Sequence, residues 1–207
     1  GVPPATASAS VHGAEVFTTA ASAGSHVWHR NVEWRLLVPL AIAGVIGGCI
    51  GAYVLAGIDG AAIKPFIIAY LALMGLYILY RATRDLRPRH IPRWFAAPLG
   101  LVGGFFDAIG GGGWGPLAST GLMARHLEPR IAIGTANASE FFVTLAISAV
   151  FVATLGISHV DVVLGLLLGG VVAAPFAAWL ARRVPARPLM ALVGALVSGL
   201  SLWTLLH

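Results

Sequence analysis

The run Gly110-Gly111-Gly112-Gly113-Trp114-Gly115-Pro116 stands in the middle of a long apolar stretch and restricts the fold more than any other feature of the chain. Glycine lowers helix stability by about 1 kcal/mol per residue relative to alanine, so four in succession predict an interruption. If the flanking segments lie in lipid, that interruption must be buried in protein or line a cavity, because lipid offers exposed backbone groups no partners. Polar residues gather around it: Asp107 just before, Asn137 and Glu140 in the apolar segment after. Ionisable groups at such depth are costly and are functional candidates by default.

Composition places those segments in lipid. Of the 207 residues, 58% are hydrophobic and 10% charged, against about 25% charged in a soluble domain. Too few polar residues remain to cover a soluble core. The expectation is an all-α, multi-spanning membrane protein with 1–207 as one transmembrane domain. A net charge of +5 would suggest nucleic acid in a soluble protein. Here the arginines separate apolar runs, which marks topology and excludes a nucleic-acid partner. The one cysteine, Cys49, excludes an internal disulfide and a multi-cysteine metal site. Neither a His-Glu-x-x-His zinc motif nor the Gly-x-Ser-Gly motif of a rhomboid-like protease occurs. The sequence therefore calls for no metal, no cofactor and no enzymatic activity.

Residues 5–27 read as a small-residue helix packed among others. Its Ser8, His12, Glu15, Thr19 and Ser22 recur at spacings of four, three, four and three, so they share one face. A span follows over 36–56, where Gly44, Gly47, Gly48 and Gly51 allow close helix approach. The next covers 63–81, with Tyr77 and Tyr80 as interface anchors. The charged segment 81–93 divides the chain into halves, 1–88 and 89–207. The second half opens with 94–109, which runs into the glycines. Residues 117–124 are too short to cross, since a crossing helix needs about 20 residues. Further spans are expected over 131–155, 162–180 and 188–206, with a turn at 157–161.

The halves resemble each other. With Pro4 set against Pro129, Glu15 falls on Glu140, Phe17 on Phe142, Thr19 on Thr144, Ala21 on Ala146 and His12 on Asn137. The pattern His/Asn-x-x-Glu-x-Phe-x-Thr thus occurs twice, and Lys64-Pro65-Phe66 matches Arg187-Pro188-Leu189. Placing the 81–93 loop in the cytoplasm puts all but Lys64 of the 13 Lys and Arg residues inside, as the positive-inside rule expects. The chain must then turn round at the glycines, as a hairpin of 94–109 and 117–124. The helix at Pro4 starts outside and its partner at Pro129 starts inside. The expected fold is a helical bundle of two inverted repeats with glycine-broken helices, a common design of secondary transporters with a site near the midplane. The first half has no counterpart of 90–125, so a further glycine-interrupted hairpin is expected before Gly1.

At these residues the chain resembles the sulfite exporter TauE/SafE family of membrane permeases. GGFFDAIGGGGWGPLAS and PRIAIGTANASEFFVTLA are similar to the family's second-repeat signature, and GVPPATASASVHGAEVFTTAASAGSH to its first. The similarity covers essentially the whole chain and departs only in the N-terminal span and glycine-rich break that the family has. The resemblance implies a multi-pass protein of the bacterial inner membrane that exports a small anion, sulfite or an organosulfonate, without implying which. A passive anion channel is the alternative, and an intramembrane enzyme a more remote one. A coupled carrier answers to a pH gradient, a pore to voltage.

The leading candidates for substrate and ion binding are Glu15 and Glu140, with His12 and Asn137 three residues before them and Thr19 and Thr144 four after. Two carboxylates in one poorly solvated site do not both ionise easily, so proton and anion occupancy become coupled; the expected partners are the anion, protons and the bilayer. The bland reading is a carboxyl satisfied by a neighbouring helix. Asp107 caps or pins the break. Gly110, Gly111, Gly112, Gly113 and Gly115 are expected to expose N–H groups to an anion in a nest-like arrangement, with the N-terminal dipole of 117–124 aimed at the same place. Trp114 closes the site or packs beside it. His26, His29, His90, His126, His159 and His207 stand near span ends and read as interfacial. Homo-oligomerisation is compatible with such a bundle.

Overall fold

Pro4 opens the first helix at a position where its missing N–H costs nothing, and the hydroxyls that follow turn back on their own helix: Ser10 donates to the Thr6 carbonyl at 2.9 Å and Thr19 to that of Glu15 at 2.6 Å. This is how a stripe of small polar residues is satisfied inside a helix. The computed structural model describes residues 3–84, 92–125, 127, 129–156, 162–169 and 186–206, among which every regular element is helical. The elements are α1 (Pro4–Trp28), α2 (Trp34–Gly57), α3 (Gly60–Ala82), a 3-10 turn (Arg93–Phe95), α4 (Ala96–Gly110), a π turn (Gly115–Ser119), α5 (Thr120–Ala124), α6 (Pro129–Leu155), α7 (162–169) and α8 (Ala186–Leu206). The expected 157–161 turn, the rest of the 162–180 span and most of the 81–93 loop lie outside the described residues. Among those described, Trp34–Gly57, Pro65–Ala82 and Arg130–Leu155 are long and apolar enough to cross a membrane.

The chain forms two compact units: Gly1–Ile58 with Leu86–Leu167, and Asp59–Asp85 with Leu168–His207. Each draws elements from both sequence halves. In the first unit α2 and α4 are in backbone contact. A Cβ on Gly47 would overlap the Leu101 carbonyl, and one on Gly104 the Gly44 carbonyl. Close approach of this kind supplies the dispersion contacts that hold helices together in lipid. Leu40 meets Gly100, Gly44 meets Gly104 and Gly51 meets Phe105, so the two helices run parallel. α6 lies on α2 in the same direction, with Val143 against Gly44 and Ile147 against Gly48. α1 runs antiparallel to α6: the His12 ring stands 6.2 Å from that of Phe151, while Asn137 reaches Ser22 and His26. The α1–α2 loop is tied to the start of α6 by the Glu33 N–H, which donates to Thr135 Oγ1 at 2.9 Å.

In the second unit α3 and α8 pair antiparallel, Gly75 against Ser198 and Leu79 against Gly194.

Candidate functional site

α4 ends where the glycines begin. Gly111 (φ 67°) and Gly112 (φ 130°) adopt conformations that side chains disfavour, and the Gly111 position is the left-handed stop that ends many helices. One residue organises the turn that follows. The backbone carbonyl of Asp107 accepts the N–H groups of Gly111 (2.9 Å) and Gly112 (3.2 Å). Its Oδ1 accepts those of Gly113 (2.7 Å) and Trp114 (2.8 Å). After the turn the chain runs back along α4: Gly121 lies against Leu99, and the Arg125 guanidinium sits 4.4 Å above the Phe95 ring.

The other oxygen of Asp107 faces α1. Its Oδ2 is 3.3 Å from His12 Nε2, and both side chains are buried, at 1% and 0% exposure. The opposite ring nitrogen, Nδ1, is 2.9 Å from the Ser8 carbonyl. A carbonyl only accepts, so Nδ1 carries a hydrogen and the Nε2–Oδ2 contact holds one shared proton. His12 and Asp107 thus share one proton, and the pair carries no net charge. Ser8 completes the arrangement: its hydroxyl donates at 2.5 Å to the Ala108 carbonyl, one of the acceptors that a helix end leaves open.

Glu15 lies next to this pair. Its Oε1 is 4.0 Å from where a Cβ on Gly112 would be, and its Oε2 is buried. Glu140 stands on α6 one turn after Ala136, whose carbonyl meets the turn. Trp114 connects the turn to α6: it is fully buried, its ring fills the space over Gly44 and Gly103, and its Nε1 donates to the Ala136 carbonyl at 2.9 Å.

The structure therefore brings His12, Glu15, Asp107, Glu140 and the Gly111–Trp114 turn into one neighbourhood. Gly110 closes α4, and Gly115 opens the π turn. The N–H groups of Gly111, Gly112, Gly113 and Trp114 are engaged by Asp107, so in this conformation they are not presented to an added anion. Asn137 stands away from His12, near the other end of the α1–α6 contact, where its Nδ2 donates to Ser22 Oγ at 3.2 Å. His26 joins it there. Thr19 is buried with its hydroxyl on the Glu15 carbonyl, and Thr144 is buried with Oγ1 unpartnered among the described residues. Ser148, one turn after Thr144, also has a buried, unpartnered hydroxyl. Sequence reasoning passed over it, although the spacing 140, 144, 148 continues the same stripe. Among the described residues no group of three or more His, Cys, Asp or Glu side chains could hold a metal ion.

The family model described as Sulfite exporter TauE/SafE matches residues 1–204. The "Probable membrane transporter protein YtnM" of Bacillus subtilis (strain 168) is 41% identical over 216 residues, an alignment that covers 100% of this chain and 72% of that protein. No solved structure matches the chain.

Proposed function

The chain belongs to the sulfite exporter TauE/SafE family, and from that premise we propose that this membrane transporter exports a small anion, sulfite or an organosulfonate, across the bacterial inner membrane in a proton-coupled cycle. The observation that carries the reading is the cluster of buried His12 and Asp107 with half-buried Glu15 and Glu140, drawn from α1, α4 and α6 around the Gly111–Trp114 turn. Buried ionisable groups in a membrane mark ion and substrate paths. Two further observations support inverted repeats built on glycine-broken helices. The repeat-related helices α1 and α6 pack antiparallel, as do α3 and α8. Within the first unit, α2, α4 and α6 share one direction and α1 has the other, which is the arrangement that the arginine-rich loops require.

The coupling is electrostatic. The His12–Asp107 pair is neutral as a unit, so the net charge of the site is set by Glu15 and Glu140. An ionised glutamate repels the anion and a protonated one admits it. Each transport cycle thus links a proton on a carboxyl to an anion beside it. Labelled sulfite or organosulfonate, loaded into vesicles that contain the full-length protein, tests this. Efflux that grows with an imposed pH gradient supports the reading. Efflux that follows voltage alone makes the protein a pore, and efflux of no sulfur oxyanion removes the substrate assignment.

A further inference from the structure

We infer that the α1–α6 seam beside Glu15 is a subsite for a singly charged oxyanion, held by uncharged hydroxyl donors and closed to a doubly charged one. The inference rests on the anion-export reading and deepens it. Its first observation is Thr144. The residue is 0% exposed, and its Oγ1 has no hydrogen-bond partner among the described residues. The same holds for two other buried atoms, Ser148 Oγ and Glu15 Oε2. Nearly every buried polar atom in a native interior has a partner, so three such atoms in one seam call for an explanation.

Their placement follows from helix geometry. Thr144 lies seven residues after Asn137 and seven before Phe151, and both of those touch α1. Seven residues come within about 20° of two full turns, so Thr144 faces α1 as well. The antiparallel pairs His12–Phe151, Ser22–Asn137 and His26–Asn137 set Glu15 and Thr19 opposite Thr144, and Glu15 opposite Ser148. Thr19 does not compete for a ligand there, because its hydroxyl is on its own helix. Two hydroxyls and one carboxyl oxygen remain. With Glu15 protonated, all three present O–H groups to the oxygens of a bound anion.

The surrounding charges set which anion. On α1 the ionisable groups facing the seam are His12, Glu15 and His26, on α6 Glu140, and on α4 Asp107. α1, α4 and α7 contain no Lys or Arg. The one cation of α6, Arg130, is in its first turn, about 21 Å along the helix from Thr144. On α2, Glu33 and Arg35 stand at the start of the helix; Arg35 is about 15 Å below the Thr144 level by the Gly44–Val143 register. The same helix carries a half-buried Cys49 and an exposed Tyr53. Among the described residues no fixed cation is at hand, and the His12–Asp107 pair has no charge to offer. An anion of charge one, bound when one glutamate takes a proton, leaves the net charge of the seam unchanged. A second negative charge has nothing to balance it, and uncompensated like charges lower affinity by about a hundredfold or more.

The test uses the full-length protein in proteoliposomes, with labelled methanesulfonate (a permanent monoanion) as substrate and unlabelled sulfite or sulfate as competitor. Methanesulfonate should be transported. Sulfite should compete better as the pH falls and bisulfite replaces the dianion, and sulfate should compete at least about a hundredfold more weakly than unlabelled methanesulfonate. Thr144→Val, which removes one donor to a charged ligand, should raise the half-saturating methanesulfonate concentration about tenfold or more. Thr144→Ser should restore it, which separates a lost donor from a lost fold. Sulfate competing on a par with methanesulfonate overturns the monoanion selection, and unchanged saturation in Thr144→Val overturns the subsite. Transport of neither sulfite nor methanesulfonate by the unsubstituted protein is the distinct result that removes the export reading and the subsite together.

Discussion

Substitution of Asp107 separates its role as a hydrogen-bond acceptor from its role as a charge. Asp107→Ala removes the acceptor for the Gly113 and Trp114 N–H groups, at 2.7 and 2.8 Å, and leaves the buried His12 ring without its partner. A hydrogen bond to a charged group contributes about 1.5–3 kcal/mol, so the two together account for about 3–6 kcal/mol. Breaking one side of a buried ion pair costs about 3–5 kcal/mol by itself; the two losses are distinct, so Asp107→Ala should cost more than either alone, about 5 kcal/mol or more. Asp107→Asn preserves the geometry. Its Oδ1 still accepts both N–H groups, and its Nδ2 donates to Nε2 of a neutral His12 whose Nδ1–H remains on the Ser8 carbonyl. Only the charge assistance is lost, about 2 kcal/mol. Denaturant unfolding of the purified protein in detergent, followed by tryptophan fluorescence with Trp114 as a buried reporter, measures both. Equal stability losses for the two variants, within about 1 kcal/mol, would refute the claim that the Asp107 acceptor holds the turn.

Gly44→Val places a side chain where a Cβ alone would stand 2.5 Å from Trp114 Cη2 and 2.7 Å from Val143 Cγ2. It should cost about 1–3 kcal/mol or more and lower the melting temperature, whereas Gly24→Ala, with nothing within 4 Å, should leave it unchanged or slightly raised. Glu140→Gln mimics the protonated carboxyl, so the variant should fold and carry anion but lose the pH dependence of flux; pH profiles that coincide with the wild type would make Glu140 structural. In a Cys49→Ser background, a membrane-impermeant thiol reagent should label Ile58→Cys and not Arg84→Cys in intact cells. Labelling of both would remove the arginine-based topology.

The α1 stripe was legible because helical period alone puts Ser8, His12, Glu15, Thr19 and Ser22 on one face, and the structure buries Ser8, His12 and Thr19 there. Helix positions were legible for the same reason, to within a few residues at each end: 5–27 became Pro4–Trp28 and 63–81 became Gly60–Ala82. The nest of glycine N–H groups was read as facing an anion because composition says which donors exist and not where they point. A carboxylate six residues before Gly113 reaches them first. Trp114 was ambiguous because its acceptor, the Ala136 carbonyl, has no signature in a sequence. The His12–Asn137 correspondence is a repeat relation and not a contact, since an antiparallel pair carries equivalent residues toward opposite ends.

Substrate-driven proton movement is the most direct measure of the central claim. Vesicles containing the full-length protein and a trapped pH indicator, clamped at zero voltage, are given a gradient of methanesulfonate, which carries no exchangeable proton of its own. The account predicts a change in internal pH that follows the anion gradient, reverses when the gradient is reversed, and is lost in Glu140→Gln while labelled methanesulfonate still crosses. Anion flux through the wild-type protein with no movement of protons would contradict it.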